Sequence, residues 1–153
     1  KRTRTHMKTR IVTFPRSGHH WLVDGLLQAN PKLKYSEYHQ TGVTLENSDC
    51  DLQKTHDFLL DDPKVEGYKH IIQFRNPLRS VQSWYELVKA NQDTPPYGEF
   101  FLSKVKFYSK WFEKWVMEPT PNSMIVCYED MLKDYDGIVD KVLKFIDTPL
   151  GTS

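Results

Sequence analysis

The sequence predicts an α/β fold, a single domain with a central parallel sheet covered by helices on both faces. Three observations carry that reading. Short β-branched and aromatic runs alternate with longer stretches of helical apolar spacing. Each short run stops on a polar or proline-containing turn. The length, 153 residues, suits one domain whose core holds without disulfide staples.

Arg10-Ile11-Val12-Thr13-Phe14 is the first strand, followed by the tight polar loop Pro15-Arg16-Ser17-Gly18. From His19 a helix places Trp21, Leu22, Gly25, Leu26 and Ala29 at helical spacing until Asn30-Pro31 stops it. Residues 31–53 have weak periodicity and read as loop with a short extended piece. Leu52 to His56 makes a brief strand ending on polar residues, and Asp61-Asp62-Pro63 is a turn or a helix start.

Residues 69–74 are a second clear strand, ended by Arg75-Asn76-Pro77. Proline suits a helix start, where its missing N–H costs nothing. The helix it opens carries Val81, Trp84, Tyr85 and Val88. After a loop with Pro95-Pro96, residues 99–117 form a long amphipathic helix with Phe100, Phe101, Val105, Tyr108, Trp111, Phe112 and Trp115, closed by Pro119 and Pro121. Met124-Ile125-Val126-Cys127-Tyr128 is a third clear strand. Residues 136–145 form the last helix, with Ile138, Val142, Leu143 and Phe145 apolar.

Lys and Arg number 21 against 20 Asp and Glu, a formal charge of +1. That balance argues against a nucleic-acid partner, which would favour a clear basic excess, but permits a local anion pocket. Eight Phe, eight Tyr and four Trp exceed what a core of this size needs and suit stacking on planar ligands. The one dense basic run is Lys1, Arg2, Arg4, Lys8 and Arg10. Its start, KRTRTHM, reads as vector-derived residues 1–6 ahead of a natural start at Met7, so the domain is expected over 7–153. Cys50 and Cys127 have no metal-ligand spacing and read as free thiols of a reducing compartment, the cytoplasm. No apolar run reaches the ~18 residues that span a membrane.

In a doubly covered parallel sheet, ligands bind beyond the carboxyl ends of the strands. That edge collects Pro15 to His19, His56, Arg75 to Pro77 and Tyr128 to Asp130. The loop Pro15-Arg16-Ser17-Gly18 opening a helix leaves backbone N–H groups free for an anion. Gly18 lets the backbone approach, and Arg16 adds a planar donor fork. The Walker signature GxxxxGK[ST] is absent. Arg75 ends one strand, with Ser83 eight residues on. In Lys54-Thr55-His56, a cation and an imidazole two residues apart share one face of a strand. Histidine titrates near neutrality and is the commonest general base. Glu129-Asp130 follow a strand and point apart, which makes them structural or helix-capping rather than an acid–base dyad.

Together these motifs resemble the family of sulfotransferases that use 3′-phosphoadenosine 5′-phosphosulfate (PAPS), in its cytosolic branch. Phe14-Pro15-Arg16-Ser17-Gly18-His19-His20-Trp21 is similar to the family's 5′-phosphosulfate loop, Arg75 and Ser83 to its 3′-phosphate motif, and Lys54-Thr55-His56 to its catalytic strand. Tyr128-Glu129-Asp130-Met131-Leu132 is similar to its tyrosine-glutamate-aspartate segment, and the motifs follow in the family's order. The resemblance covers residues 9–147 and implies a P-loop-like three-layer sandwich.

The resemblance also implies roles. Arg16 contacts the 5′-phosphate and bridging oxygen, and Ser17, Gly18, His19 and His20 wrap the phosphosulfate. Trp21 stacks on adenine and Tyr128 hydrogen-bonds near it. Arg75 and Ser83 bind the 3′-phosphate. His56 takes the acceptor's proton, and Lys54 steadies the sulfuryl oxygens. The expected reaction moves a sulfuryl group from PAPS to a hydroxyl or amine without a metal, leaving adenosine 3′,5′-bisphosphate (PAP).

The chain departs from the family at three places. Arg16 stands for a lysine and cannot readily release a proton. His19-His20 stand for a hydroxyl pair and would bind anions best when protonated, so donor affinity is expected to fall with rising pH. The family's C-terminal Arg-Lys-Gly loop is missing from the sequence as given, which reads either as a chain cut short or as a compact relative without that lid. A small molecule, sugar or peptide acceptor would meet residues 31–50 and 89–100, with Tyr35, Tyr38, Tyr97, Phe100 and Phe101 as an aromatic wall. A PAP- or PAPS-binding domain without turnover, and a divergent P-loop nucleotide kinase, remain as alternative readings. Oligomeric state is not encoded in any pattern of the sequence.

Overall fold

Five parallel strands in the order β2-β3-β1-β4-β5 form the central sheet of the computed structural model. The structure describes residues 8–37, 49–91 and 94–148. In chain order the elements are β1 (Thr9–Thr13), α1 (His19–Ala29), β2 (Tyr35–Glu37), β3 (Leu52–Thr55), β4 (Lys69–Phe74), α2 (Pro77–Ala90), α3 (Tyr97–Phe112), β5 (Ser123–Cys127), α4 (Tyr128–Lys133) and α5 (Tyr135–Asp147). A π-helical turn, Glu113–Met117, continues α3. The two long C-terminal helices begin earlier than their apolar periodicity predicts, at Tyr97 and Tyr135. Asp134 explains the second start, because its side chain accepts from Gly137 N and caps α5.

Strand residues alternate between two cores, as a period of two requires. Ile11 and Ile71 join Leu22, Leu26, Leu52, Val126, Met131, Val142 and Ile146 on the face covered by α1, α4 and α5. Val12 and Ile72 join Phe14, Val81, Phe100, Tyr108, Trp111 and Trp115 on the face covered by α2 and α3. These are the expected three layers, and the surplus of aromatic residues is largely this second core.

β1 lies between β3 and β4, so the loops after all three strands converge. Each loop is shaped locally. Asn76 caps α2, its side chain accepting from Leu78 N and Arg79 N, with Pro77 at the first helical position. At the opposite edge of the sheet, buried Lys69 donates from Nζ to the carbonyls of Phe145, Ile146 and Thr148 and closes the end of α5. Cys50 and Cys127 are not joined in a disulfide.

Candidate functional site

Beyond the carboxyl ends of the strands lies a cavity of about 590 Å³, a size that suits a nucleotide-sized ligand. Its wall includes Arg16, Ser17, Gly18, His19, His20 and Trp21 after β1, Lys54 and His56 at the end of β3, Arg75 after β4, Ser83 on α2 and Tyr128 after β5. Every site residue expected from the sequence therefore reaches one cavity, although the segments come from positions over 100 residues apart in sequence.

The loop after β1 is wound by two left-handed residues, Arg16 at φ 66° and Gly18 at φ 84°. Arginine accepts that conformation at some cost, which the surrounding contacts offset. Its Nε donates to Ser83 Oγ at 2.9 Å, and its carbonyl accepts from Arg75 Nη1 at 3.2 Å. A Cβ at Gly18 would lie 2.8 Å from Tyr128 Cδ1. Glycine thus permits the Tyr128 ring to slide under the loop, where it also carries the Arg75 guanidinium 4.3 Å from its centroid. Ser17 Oγ and Arg75 Nε are buried and have no hydrogen-bond partner among the described residues. Buried polar groups are rarely left so, and these suit an anion.

His56 has a defined tautomer. Its Nδ1 is 2.7 Å from the Thr13 carbonyl oxygen, which only accepts, so Nδ1 carries the proton. Nε2 is then an acceptor, and the Lys54 ammonium stands 3.2 Å from it. Lys54 is buried and also pairs with Glu37 Oε1 at 3.0 Å. Glu37 carries no sequence signal of its own. Only the placement of β2 beside β3 brings it there.

The backbone beyond His56 is held from the opposite layer. Asp57 and Leu60 take left-handed φ values of 53° and 58°. Trp111 Nε1 donates to the His56 carbonyl at 3.2 Å. Trp115 Nε1 and Lys114 Nζ both donate to Asp57 Oδ2, at 2.8 and 2.7 Å. Asp57, Asp61 and Asp62 form the candidate metal-ligand cluster among the described residues. The Asp57 carboxylate is engaged as above, and Asp62 Oδ2 accepts from Thr55 Oγ1, so both serve the loop.

His19 corrects one expectation. It is buried, its Nε2 bonds the Tyr35 hydroxyl, and Lys54, His20 and His56 lie near. Burial first, then those cations and imidazoles, hold its pKa down to about 2. It stays neutral, and a fall of anion affinity with rising pH cannot come from His19.

The expected acceptor wall is also corrected. Tyr35 bonds His19, Phe100 is buried in the second core, and Tyr97 and Phe101 pack on one another. None of these lines the cavity. Tyr38 lies outside the described residues. The apolar wall beside His56 is instead Phe58, Trp84 and Leu87. Phe58 packs 4.9 Å from the His56 ring and 5.8 Å from Trp84. Glu129, read as structural, accepts from Asn76 N at 3.0 Å and joins the loops after β4 and β5.

A family model described as a sulfotransferase domain matches residues 7–153. Sulfotransferase 4A1 of Mus musculus is 27% identical over 165 residues, covering 89% of this chain and 58% of that protein. A 3-alpha-hydroxysteroid sulfotransferase of Cavia porcellus is 29% identical over 170 residues, covering 93% and 59%. Among solved structures, a mouse sulfotransferase complexed with PAP matches with a TM-score of 0.63 at 18% identity, over 98% of this chain and 62% of that one. Retinol dehydratase in a complex with retinol and PAP matches at 0.63 and 14% identity, over 94% and 61%. The chain spans less than two thirds of the length of these relatives. At such identities the solved structures establish the fold.

Proposed function

The chain belongs to the family of sulfotransferase domains, and on that premise we propose that it transfers a sulfuryl group from PAPS to a hydroxyl or amine of an acceptor, with His56 as general base. The observation that carries the proposal is the fixed tautomer of His56, whose accepting Nε2 lies in the same cavity as the Arg16, Lys54 and Arg75 cations.

In this reading the acceptor oxygen or nitrogen attacks sulfur while the bond from sulfur to the bridging phosphate oxygen breaks. PAP leaves with the bonding pair, and the acceptor's proton goes to His56 Nε2. Thr13 holds the other ring nitrogen, so the imidazolium that forms keeps its orientation. Lys54 has to yield first, since its ammonium donates to the same Nε2. The sulfuryl oxygens of a bound donor offer that ammonium a charged acceptor, which frees the base when the donor is present. Arg16 and Arg75 offset charge on the departing phosphates. Positioning and charge stabilisation supply most of the catalysis in transfers of this kind.

Phe58, Trp84 and Leu87 support a small acceptor with an apolar body. The test has two parts. PAP should raise the melting temperature well above the effect of ATP with magnesium. A panel of phenols, alcohols, amines, sugars and tyrosine peptides incubated with PAPS should give a product heavier by one sulfuryl group in mass spectrometry. Binding of PAP with no product from any acceptor would replace this reading with a nucleotide-binding domain. Preference for ATP would replace it with a kinase.

A further inference from the structure

Trp21 is the aromatic residue of the β1–α1 loop region that lines the cavity, and it remains 37% exposed. A half-exposed indole at the start of a helix has several rotamers open to it. Here one is selected from outside the cavity. The Tyr135 ring lies parallel to the indole, centroid to centroid 4.4 Å with 3° between planes, and the Tyr135 hydroxyl donates to the Trp21 carbonyl at 2.5 Å. Tyr128 meets the same indole edge-on at 6.2 Å.

Two features show that the stack is built in. Gly25, in the middle of α1, is a poor helix former, and a Cβ there would collide with the Tyr135 hydroxyl and lie 2.9 Å from Val139 Cγ2. The missing side chain lets Tyr135 reach Trp21. Tyr135 itself lines a separate groove with Gly25, Gln28 and Val139 and is not on the cavity wall. It therefore backs the indole from outside the cavity that Trp21 lines.

We propose that Tyr135 is a positioning residue for nucleobase binding, holding the Trp21 indole as a backed platform on which a planar base stacks. This rests on the reading of the cavity as a nucleotide site. The pair presents a flat surface that is already ordered, so a base meets little rotamer cost on stacking. Among the described residues its ring stack and hydroxyl hydrogen bond both go to Trp21, so its contribution belongs to the base.

The experiment compares two ligands on the full chain by calorimetry: PAP, and ribose 3,5-bisphosphate, which lacks the base. The wild-type chain should bind PAP more tightly. Tyr135→Leu keeps bulk against Gly25 but has no planar face, and should weaken PAP by about 3- to 10-fold, the worth of one aromatic pair, with ribose bisphosphate unchanged. Tyr135→Phe keeps the ring and should stay within about 2-fold of wild type. Equal weakening of both ligands by Tyr135→Leu, or no weakening of either, would overturn the proposal. Tyr135→Phe keeps it testable should the leucine variant fold poorly, because a loss of PAP affinity as large with phenylalanine would assign the effect to the hydroxyl and overturn the platform. Failure of the wild-type chain to bind either bisphosphate would instead sink the nucleotide reading beneath it.

Discussion

Arg16 Nε donates to Ser83 Oγ at 2.9 Å across 67 residues of sequence. One side chain thereby joins the loop after β1 to α2, while the Arg16 carbonyl holds Arg75. The three residues are tied together, and the proposed reading gives them one anion to bind. In the proposed complex Ser83 Oγ would donate to the 3′-phosphate, and Ser83→Ala removes that charged hydrogen bond, worth about 1.5–3 kcal/mol. PAP affinity should fall by about 10- to 100-fold, with the melting temperature little changed because Ser83 is not part of either core. Titration of PAP against the variant checks the affinity, and a thermal melt of the same preparation checks the stability.

His56→Ala should leave PAP affinity within a factor of about 2, since the side chains proposed to bind the phosphates lie elsewhere, and lower turnover by about 10²–10⁴, the usual worth of a general base. Single-turnover kinetics with saturating PAPS separate the two effects. An unchanged rate would remove His56 from the mechanism.

Gly18→Ala meets two obstacles at once. The backbone there is left-handed at φ 84°, which costs an L-residue about 1–2 kcal/mol. The added methyl also lies 2.8 Å from the Tyr128 ring, which carries Arg75. The variant should lose about 10-fold or more in PAP affinity, and its denaturation midpoint should fall. Calorimetry and a urea titration on the same preparation measure the pair.

His70 predicts how stability follows pH. It is fully buried on β4, stacked 5.9 Å from Trp115, and neither ring nitrogen has a hydrogen-bond partner among the described residues. Burial first, then the Arg10 and Lys64 charges, lowers its pKa to about 4. Unfolding exposes it to water, where it takes up a proton below about pH 6.5. Stability is therefore complete above that value and falls as the pH drops from about 6.5 toward about 4, by roughly 3 kcal/mol from this residue. His70→Phe keeps the stack and removes the titration. Urea midpoints at pH 7.5 and 4.5 should differ less in the variant than in the wild-type chain.

Most of the architecture is legible in the sequence because local pattern and global layer agree. Ile11 and Val12, or Ile71 and Ile72, are adjacent apolar residues, which only a sheet covered on both faces requires. The parallel order then sends every strand-end motif to one edge, which explains why the predicted site residues meet in one cavity. What sequence conceals is pairing at a distance. Tyr35 and Glu37 sit in a three-residue strand without periodicity, and their partners His19 and Lys54 are chosen by strand order. The aromatic residues at 97–101 look like a ligand wall, yet they pack between α2 and α3. Left-handed Asp57 and Leu60 have no glycine to announce them.

The π-helical turn makes spacing matter more than composition in one stretch of the chain. Lys114 and Trp115 are sequence neighbours that reach the same carboxylate because the winding there is wider than an ordinary turn. Deleting one residue would restore common helical pitch and swing one donor away by about 100°. The backbone bearing the imidazole would then lose a tether from the far side of the sheet. Exposed Met117 adds little to that tether, whereas the number of residues between Phe112 and Pro119 sets where both donors fall.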